Sequence, residues 1–472
     1  MIFNSFDFLV IYPLLLLAYY LVPAKCVGTK NVYLLFVSYL LYMNFNAAYA
    51  LILLGVTTVT YLSARLFDNK KSRNKTLLTA MVMLTLVPLL VFKYYNFICE
   101  SGQDLLSVLG MRVELQGLNW AVPVGISFFT FQALGYLWDV WYGRIKAERN
   151  FLHYALFVGF FPSIVSGPIN KASLVLPQIK SMRPYFDYSK AVGGLKLLLW
   201  GMFMKVVVAD RVALYVDTVF SHYDNYSGLS CFVASLLYTT QIYADFAGYS
   251  LMAIGVGKTL GFELTENFRR PYLAYSITDF WRRWHISLST WLKDYVYIPL
   301  GGSRCSKLRS YWNIIVTFLV SGIWHGANWT FVVWGVWHGL FQVVEKTLGQ
   351  QKCNYGSWGK AVKIFVTFML VNFAWIFFRM PTLSDACRVI ARIFNPSLLG
   401  TLYLPERANT LFMVMGVLIL LVKDLTDEYC PRSFNLMDND RAWVRWLTYI
   451  ACMVMIMLTG VFDAGQFIYA NF

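Results

Sequence analysis

Apolar stretches without a single Asp, Glu, Lys or Arg recur along this chain at 8–24, 31–64, 76–92, 115–138, 150–170, 225–244, 310–344, 364–378, 408–422 and 446–462. A membrane-crossing helix needs about 20 apolar residues, and two of these runs are long enough for a pair of short spans. The run 31–64 carries Met43-Asn44-Phe45-Asn46 at its middle, which reads as a turn, and 310–344 breaks around Gly326-Ala327-Asn328. A weaker apolar segment at 191–220 is interrupted by Lys196, Lys205, Asp210 and Arg211, which predicts a tilted or partly interfacial helix. The pattern predicts an all-α polytopic membrane protein with about 11–13 membrane-embedded segments. It predicts one integral-membrane domain over residues 1–472 and no separate soluble module.

The basic residues fall mostly between the runs, where they hold loops on the cytoplasmic side. The loop from Arg65 to Lys75 has five basic residues and one acid, which assigns it to the cytoplasm. Counting forward puts 93–114 outside and Arg144-Lys146-Arg149 inside. The count then fails, because the run 150–170 is followed by another basic stretch containing Lys171, Lys180, Arg183 and Lys190. A segment that enters and leaves on the same face resolves this, with Phe161-Pro162-Ser163 and Ser166-Gly167-Pro168 at its turn. Non-helical backbone survives at membrane depth only where protein or a water-filled cavity surrounds it. Tyr297-Ile298-Pro299-Leu300-Gly301-Gly302-Ser303-Arg304 reads as a second element of this kind. The N-terminus has neither a basic region nor a small-residue cleavage site, so no removable signal peptide is read there.

Composition agrees: 58% of residues are hydrophobic and 14% charged, against about 25% charged in soluble domains. An ordinary globular enzyme, a disordered chain and a secreted disulfide scaffold are excluded. The net charge of +15 belongs to membrane topology rather than to nucleic-acid binding, since no folded polar module could carry a groove-reading element. The cysteines are scattered and never form CxxC, which fits neither a zinc site nor a disulfide framework. No metal site is expected. Gly255-Val256-Gly257-Lys258-Thr259 resembles the end of a phosphate loop, but Met252 breaks the spacing. Neither a GxSxG elbow nor an HExxH pair is present.

Ionisable groups inside a membrane segment are functional candidates by default. His325 lies deep in the run 310–344, flanked by glycines that would let a ligand or another backbone approach. An ordinary neutral histidine hydrogen-bonded between helices would look the same. His338, among Trp334, Trp337 and Gly339, reads as packing, His222 as a solvated loop residue and His153 as interfacial. His285 lies in Phe280-Trp281-Arg282-Arg283-Trp284-His285, a mixture of aromatics and cations suited to a membrane interface or a polar cavity wall. Asp245 is a lone acid between apolar stretches. A buried carboxylate needs a partner, which predicts that it orients an imidazole or a cavity arginine.

Taken together, Asp245-Phe246-Ala247-Gly248-Tyr249-Ser250, Phe280-Trp281-Arg282-Arg283-Trp284-His285, Asp294-Tyr295-Val296-Tyr297-Ile298-Pro299-Leu300-Gly301-Gly302 and Gly322-Ile323-Trp324-His325-Gly326 resemble the bacterial membrane-bound O-acyltransferases (MBOAT family), nearest to the alginate O-acetylase branch. The likeness extends to Pro123-Val124-Gly125, Phe160-Phe161-Pro162 and the terminal Phe467-Ile468-Tyr469. The chain departs from the family pattern in two places, at Ala247 and at the terminal Ala470-Asn471. The resemblance implies a ring of helices with re-entrant segments around a central catalytic funnel in the bacterial inner membrane. It implies a catalytic histidine at His325, a second cavity residue at His285, and no bound cofactor. The donor would be a cytoplasmic acyl thioester such as acetyl-CoA. The acceptor would be an extracytoplasmic polysaccharide, reached with the help of a periplasmic or cell-surface partner acetyltransferase.

Acyl transfer from a thioester to an alcohol needs the hydroxyl proton removed as its oxygen attacks, and imidazole, with an ordinary pKa of about 6.5, suits this. His325 is accordingly read as the base or the transient acyl carrier, and His285 as the residue that positions or polarises a reactant. Asp245, Trp324 and Asn328 are read as cavity support, and Arg282, Arg283 and Lys293 as cations for the donor's phosphates. Residues alone also admit a transporter or flippase for a lipid-linked sugar or anion, with the histidines relaying protons, and a scaffold without chemistry of its own.

Overall fold

The computed structural model describes residues 3, 5–68, 73–111, 113–182, 186–349, 356–430 and 436–462. Arg183, part of the Arg65–Lys75 loop and the terminal segment with Phe467-Ile468-Tyr469, Ala470 and Asn471 lie outside the described residues. Among the described residues the regular structure is helical. Six helices among the described residues are long and apolar enough to cross a membrane: Ala47–Asp68, Lys75–Val108, Tyr188–Ser221, Ser357–Arg379, Arg407–Tyr429 and Ala442–Thr459. The expected all-α polytopic membrane fold is borne out. Contacts gather the chain into two compact units, one of residues 1–191 with 257–265, the other of 192–256 with 266–472.

In the first unit, the double-length run 31–64 divides where its asparagines predict. Helix Val27–Met43 ends at Asn44, and Asn46 accepts from the Ala48 N–H at 2.9 Å as helix Ala47–Asp68 begins. The run 115–138 differs from a single span, because its helix starts only at Ile126. Pro123 lacks a backbone donor, and carbonyls on the non-helical approach are met by side chains instead: Tyr42 Oη donates to Val124 O at 2.9 Å and Tyr49 Oη to Ala121 O at 2.7 Å.

The segment expected to re-enter folds as a short helical hairpin. Helix Phe151–Gly159 has nine residues, about 13.5 Å at 1.5 Å per residue, less than half of a hydrocarbon layer of about 30 Å. The chain breaks at Phe160, makes the short turn Phe161–Ile164, and returns as Ala172–Lys180. Protein groups satisfy the irregular backbone, as membrane depth demands. The Asn170 amide donates to Ser163 Oγ and to Pro168 O, both at 2.9 Å, and its carbonyl accepts from Thr265 N at 3.0 Å. The base of the hairpin is closed by an ion pair between Lys180 and Glu148. Glu148 is buried (5% exposed) and also accepts from the backbone N–H groups of Arg149 and Asn150, each at 3.0 Å.

Burial works against ionising Glu148, but Lys180 and the backbone donors outweigh it and hold the carboxyl below its usual range. A depressed carboxylate pKa stabilises the fold above the unfolded value and loses that contribution as pH falls through the folded value. The melting temperature should therefore drop as pH is lowered from about 5 to about 3, and Glu148→Gln should flatten that part of the profile. A profile unchanged by the substitution would refute the clamp.

In the second unit, helix Tyr188–Ser221 is one of the six long apolar helices, although its sequence is interrupted by charges. Each charge has a partner, most of them far away in sequence. Lys196 pairs with Asp438 at 2.5 Å, and Arg211 donates to Asn409 Oδ1 at 2.7 Å. Lys205 sits on a π-helical turn, Phe203–Ala209. It lies 2.8 Å from Asp210 and 2.7 Å from Asp245, all three side chains being at most 5% exposed. Helix Gly228–Thr259 supplies Asp245. It approaches this closely because Gly201 and Gly248 face one another: a Cβ on Gly201 would lie 2.5 Å from the Gly248 carbonyl oxygen.

Candidate functional site

The run 310–344 folds as two helices, Lys307–His325 and Trp329–Thr347, divided at the predicted break. They pack backbone against backbone: a Cβ on Gly322 would lie 2.3 Å from Phe331 O, and one on Gly335 would lie 2.4 Å from Phe318 O. His325 is the last residue of the first helix. It is 1% exposed, with ring centroids of Trp324 and Trp334 at 4.9 Å and Phe378 at 5.3 Å. Asn328 caps the second helix by accepting from Thr330 N at 3.0 Å, and it donates to Pro381 O at 2.8 Å. It shapes the turn after His325.

His285 is placed by a different local device. Helix Ile277–Arg283 begins at a Ser276 cap, with the Glu345 carboxylate accepting from the backbone N–H groups of Ile277 and Thr278. It ends at Trp284, and helix Ile286–Leu292 starts one residue later. His285 fills the corner with φ 44°, a left-handed conformation that a non-glycine side chain adopts at a cost of about 1 kcal/mol or more. Tertiary contacts impose it. The backbone N–H of Ile286 donates to Asn267 O and that of Arg269 to Arg283 O, both at 2.9 Å, so segment 267–269 lies alongside the corner. The imidazole is fully buried, with Nδ1 3.0 Å from Asn267 Oδ1 and the Phe246 ring edge-on at 4.7 Å.

The two histidines and Trp324 come together: the His285 ring centroid lies 6.3 Å from that of His325 and 5.8 Å from Trp324. Asp245 reaches the group at one remove. Its carboxylate is paired with Lys205, while its neighbour Phe246 packs on His285. Among the proposed donor cations, Arg283 is committed to Asp279 at 3.0 Å and Glu428 at 2.9 Å, an arrangement that ties helices together. Arg282 and Lys293 are exposed. His338 accepts from Trp281 Nε1 at 3.3 Å and stacks on Phe280, which is a packing role. His222 is exposed, and His153 lies 3.7 Å from Glu148.

Sequence reasoning missed two residues. Lys205 gave a usable signal, one of the few bases inside the weaker apolar segment 191–220, to match the lone acid Asp245. Asn267 gave almost none, since it lies in a segment without helical or strand period and its role comes from what folds against it.

An imidazole pair in an aromatic enclosure, walled by two close-packed helices, suits proton handling away from bulk water. Residues 144–380 match the profile of the MBOAT, membrane-bound O-acyltransferase family. The chain is 36% identical to a probable alginate O-acetylase of Pseudomonas aeruginosa over 426 residues, covering 89% of this chain and 80% of that protein. It is 31% identical to a peptidoglycan O-acetyltransferase of Helicobacter pylori over 94% of this chain and 91% of that one. A teichoic acid D-alanyltransferase of Bacillus subtilis is 25% identical over 60% of this chain and 71% of its own length.

Proposed function

This chain belongs to the membrane-bound O-acyltransferase family, and from that premise we propose that it O-acetylates an extracytoplasmic polysaccharide, using residues 1–472 as one integral-membrane module of the bacterial inner membrane. The observation that carries the reading is the buried pair His285 and His325, 6.3 Å apart between ring centroids. The donor is an acyl thioester on the cytoplasmic side, acetyl-CoA in the first instance, with the exposed Arg282 and Lys293 available to its phosphates. The acceptor is a cell-surface glycan hydroxyl, delivered with a periplasmic partner acetyltransferase.

In direct transfer the hydroxyl oxygen bonds to the thioester carbonyl carbon as His325 takes its proton, the carbon–sulfur bond breaks, and His325 returns that proton to the departing thiolate. With His325 as carrier, its nitrogen bonds to the carbonyl carbon and expels the thiolate, and the hydroxyl oxygen then takes the acyl group from the imidazole while its proton is released to neutralise the thiolate. His285 holds a reactant beside it. A positioned general base contributes about 10² to 10⁴ in rate.

The test is transfer of radiolabel from acetyl-CoA by the purified chain in nanodiscs, with polysaccharide fragments as acceptor. Label on the acceptor, or released as acetate, is the expected result. Failure with both acetyl-CoA and a carrier-protein thioester would sink the reading in favour of a transporter or flippase.

A further inference from the structure

The hydrogen bonds around His285 decide which of its nitrogens carries the proton. Asn267 Oδ1 lies 3.3 Å from the backbone N–H of Ser287, 2.9 Å from Ser287 Oγ and 3.0 Å from His285 Nδ1. A backbone N–H can only donate, so the side-chain atom of Asn267 that faces it must be the carbonyl oxygen. The other end of the amide agrees, since Nδ2 donates to Ser250 Oγ at 3.1 Å. An amide oxygen can only accept, and it therefore requires a proton on His285 Nδ1. A neutral imidazole with Nδ1–H has its lone pair on Nε2.

We infer that Asn267 is a positioning residue that locks His285 in the Nδ1–H tautomer, so that Nε2 meets the reaction as a hydrogen-bond acceptor. The inference rests on the acyltransferase reading and narrows it. With the lone pair on Nε2, that nitrogen cannot donate to the thioester carbonyl oxygen, so His285 does not polarise that group through it. Its partner is a hydrogen donor, either the acceptor hydroxyl or the imidazolium that His325 becomes on taking that hydroxyl's proton. The left-handed backbone at His285 serves the same end. The Ile286 N–H to Asn267 O bond fixes the corner so that one asparagine holds both main chain and side chain.

The experiment is ¹⁵N magic-angle-spinning NMR of the full chain, labelled on its histidine rings and held in nanodiscs. The His285 signals are identified by their loss in His285→Gln. Protonated Nδ1 and unprotonated Nε2 are expected in the unaltered protein and in Asn267→Asp, whose carboxylate still accepts. Asn267→Leu should release the lock and give a mixture or the reverse tautomer. Its acyl transfer should fall at least about tenfold, and Asn267→Asp should restore most of that loss. Protonated Nε2 in the unaltered protein overturns the inference without any variant having to fold. So does a tautomer indifferent to Asn267→Leu. A chain that transfers no acyl group yet keeps the Nδ1–H signal would sink the acyltransferase reading instead, which keeps the two failures distinct.

Discussion

His325→Gln abolishes acyl transfer to within measurement, a loss of at least about 10³-fold, while the protein extracts and melts almost as the unaltered chain does. The amide roughly preserves the ring's volume among Trp324, Trp334 and Phe378, which His325→Ala would leave facing a cavity. It removes the one property the chemistry needs there, an imidazole nitrogen that can accept a proton and hand it back. Transfer is measured from radiolabelled thioester under saturating and subsaturating donor, because a lost base lowers kcat whereas a lost binding contact raises KM. Full activity in either variant at normal protein levels would remove His325 from the chemistry.

Lys205→Met produces the second large effect, on folding. Asp210 and Asp245 would then both lose the ammonium that pairs with them, in a region where all three side chains are at most 5% exposed. Removing one member of a buried ion cluster typically costs about 3–5 kcal/mol, whereas replacing all members by neutral groups of similar size often costs little. The triple variant Lys205→Met, Asp210→Asn, Asp245→Asn should therefore recover most of the yield and melting temperature that the single substitution loses. Detergent-solubilised thermal unfolding measures both. A single variant as stable as its parent would show that Lys205 is not the charge on which Asp245 depends.

The helical breaks were legible in the sequence because they rest on local chemistry. Asn44 to Asn46 and Gly326 to Asn328 interrupt apolar runs with residues that cap and turn. The hairpin after residue 150 was legible because basic residues on both sides of its apolar run called for a chain that turns back on itself. Other features depend on contacts between segments far apart in the chain. Asp245 showed the need for a partner but not its identity, and that partner is 40 residues upstream on a π-helical turn. Arg283 looked available to a phosphate until folding brought Glu428 beside it. Asn267 is set against His285 by two backbone hydrogen bonds that no periodicity announces.

The closed base of the Glu148–Lys180 hairpin also bears on parity. A helix that crosses reverses the compartment of the chain beyond it, whereas a hairpin that returns to its own entry point contributes two half-passages and reverses nothing. Counting hydropathy peaks as crossings would assign the opposite compartment to every loop after Ser181. Reporter tags inserted at Lys146 and at Lys190 should answer alike to a membrane-impermeant label.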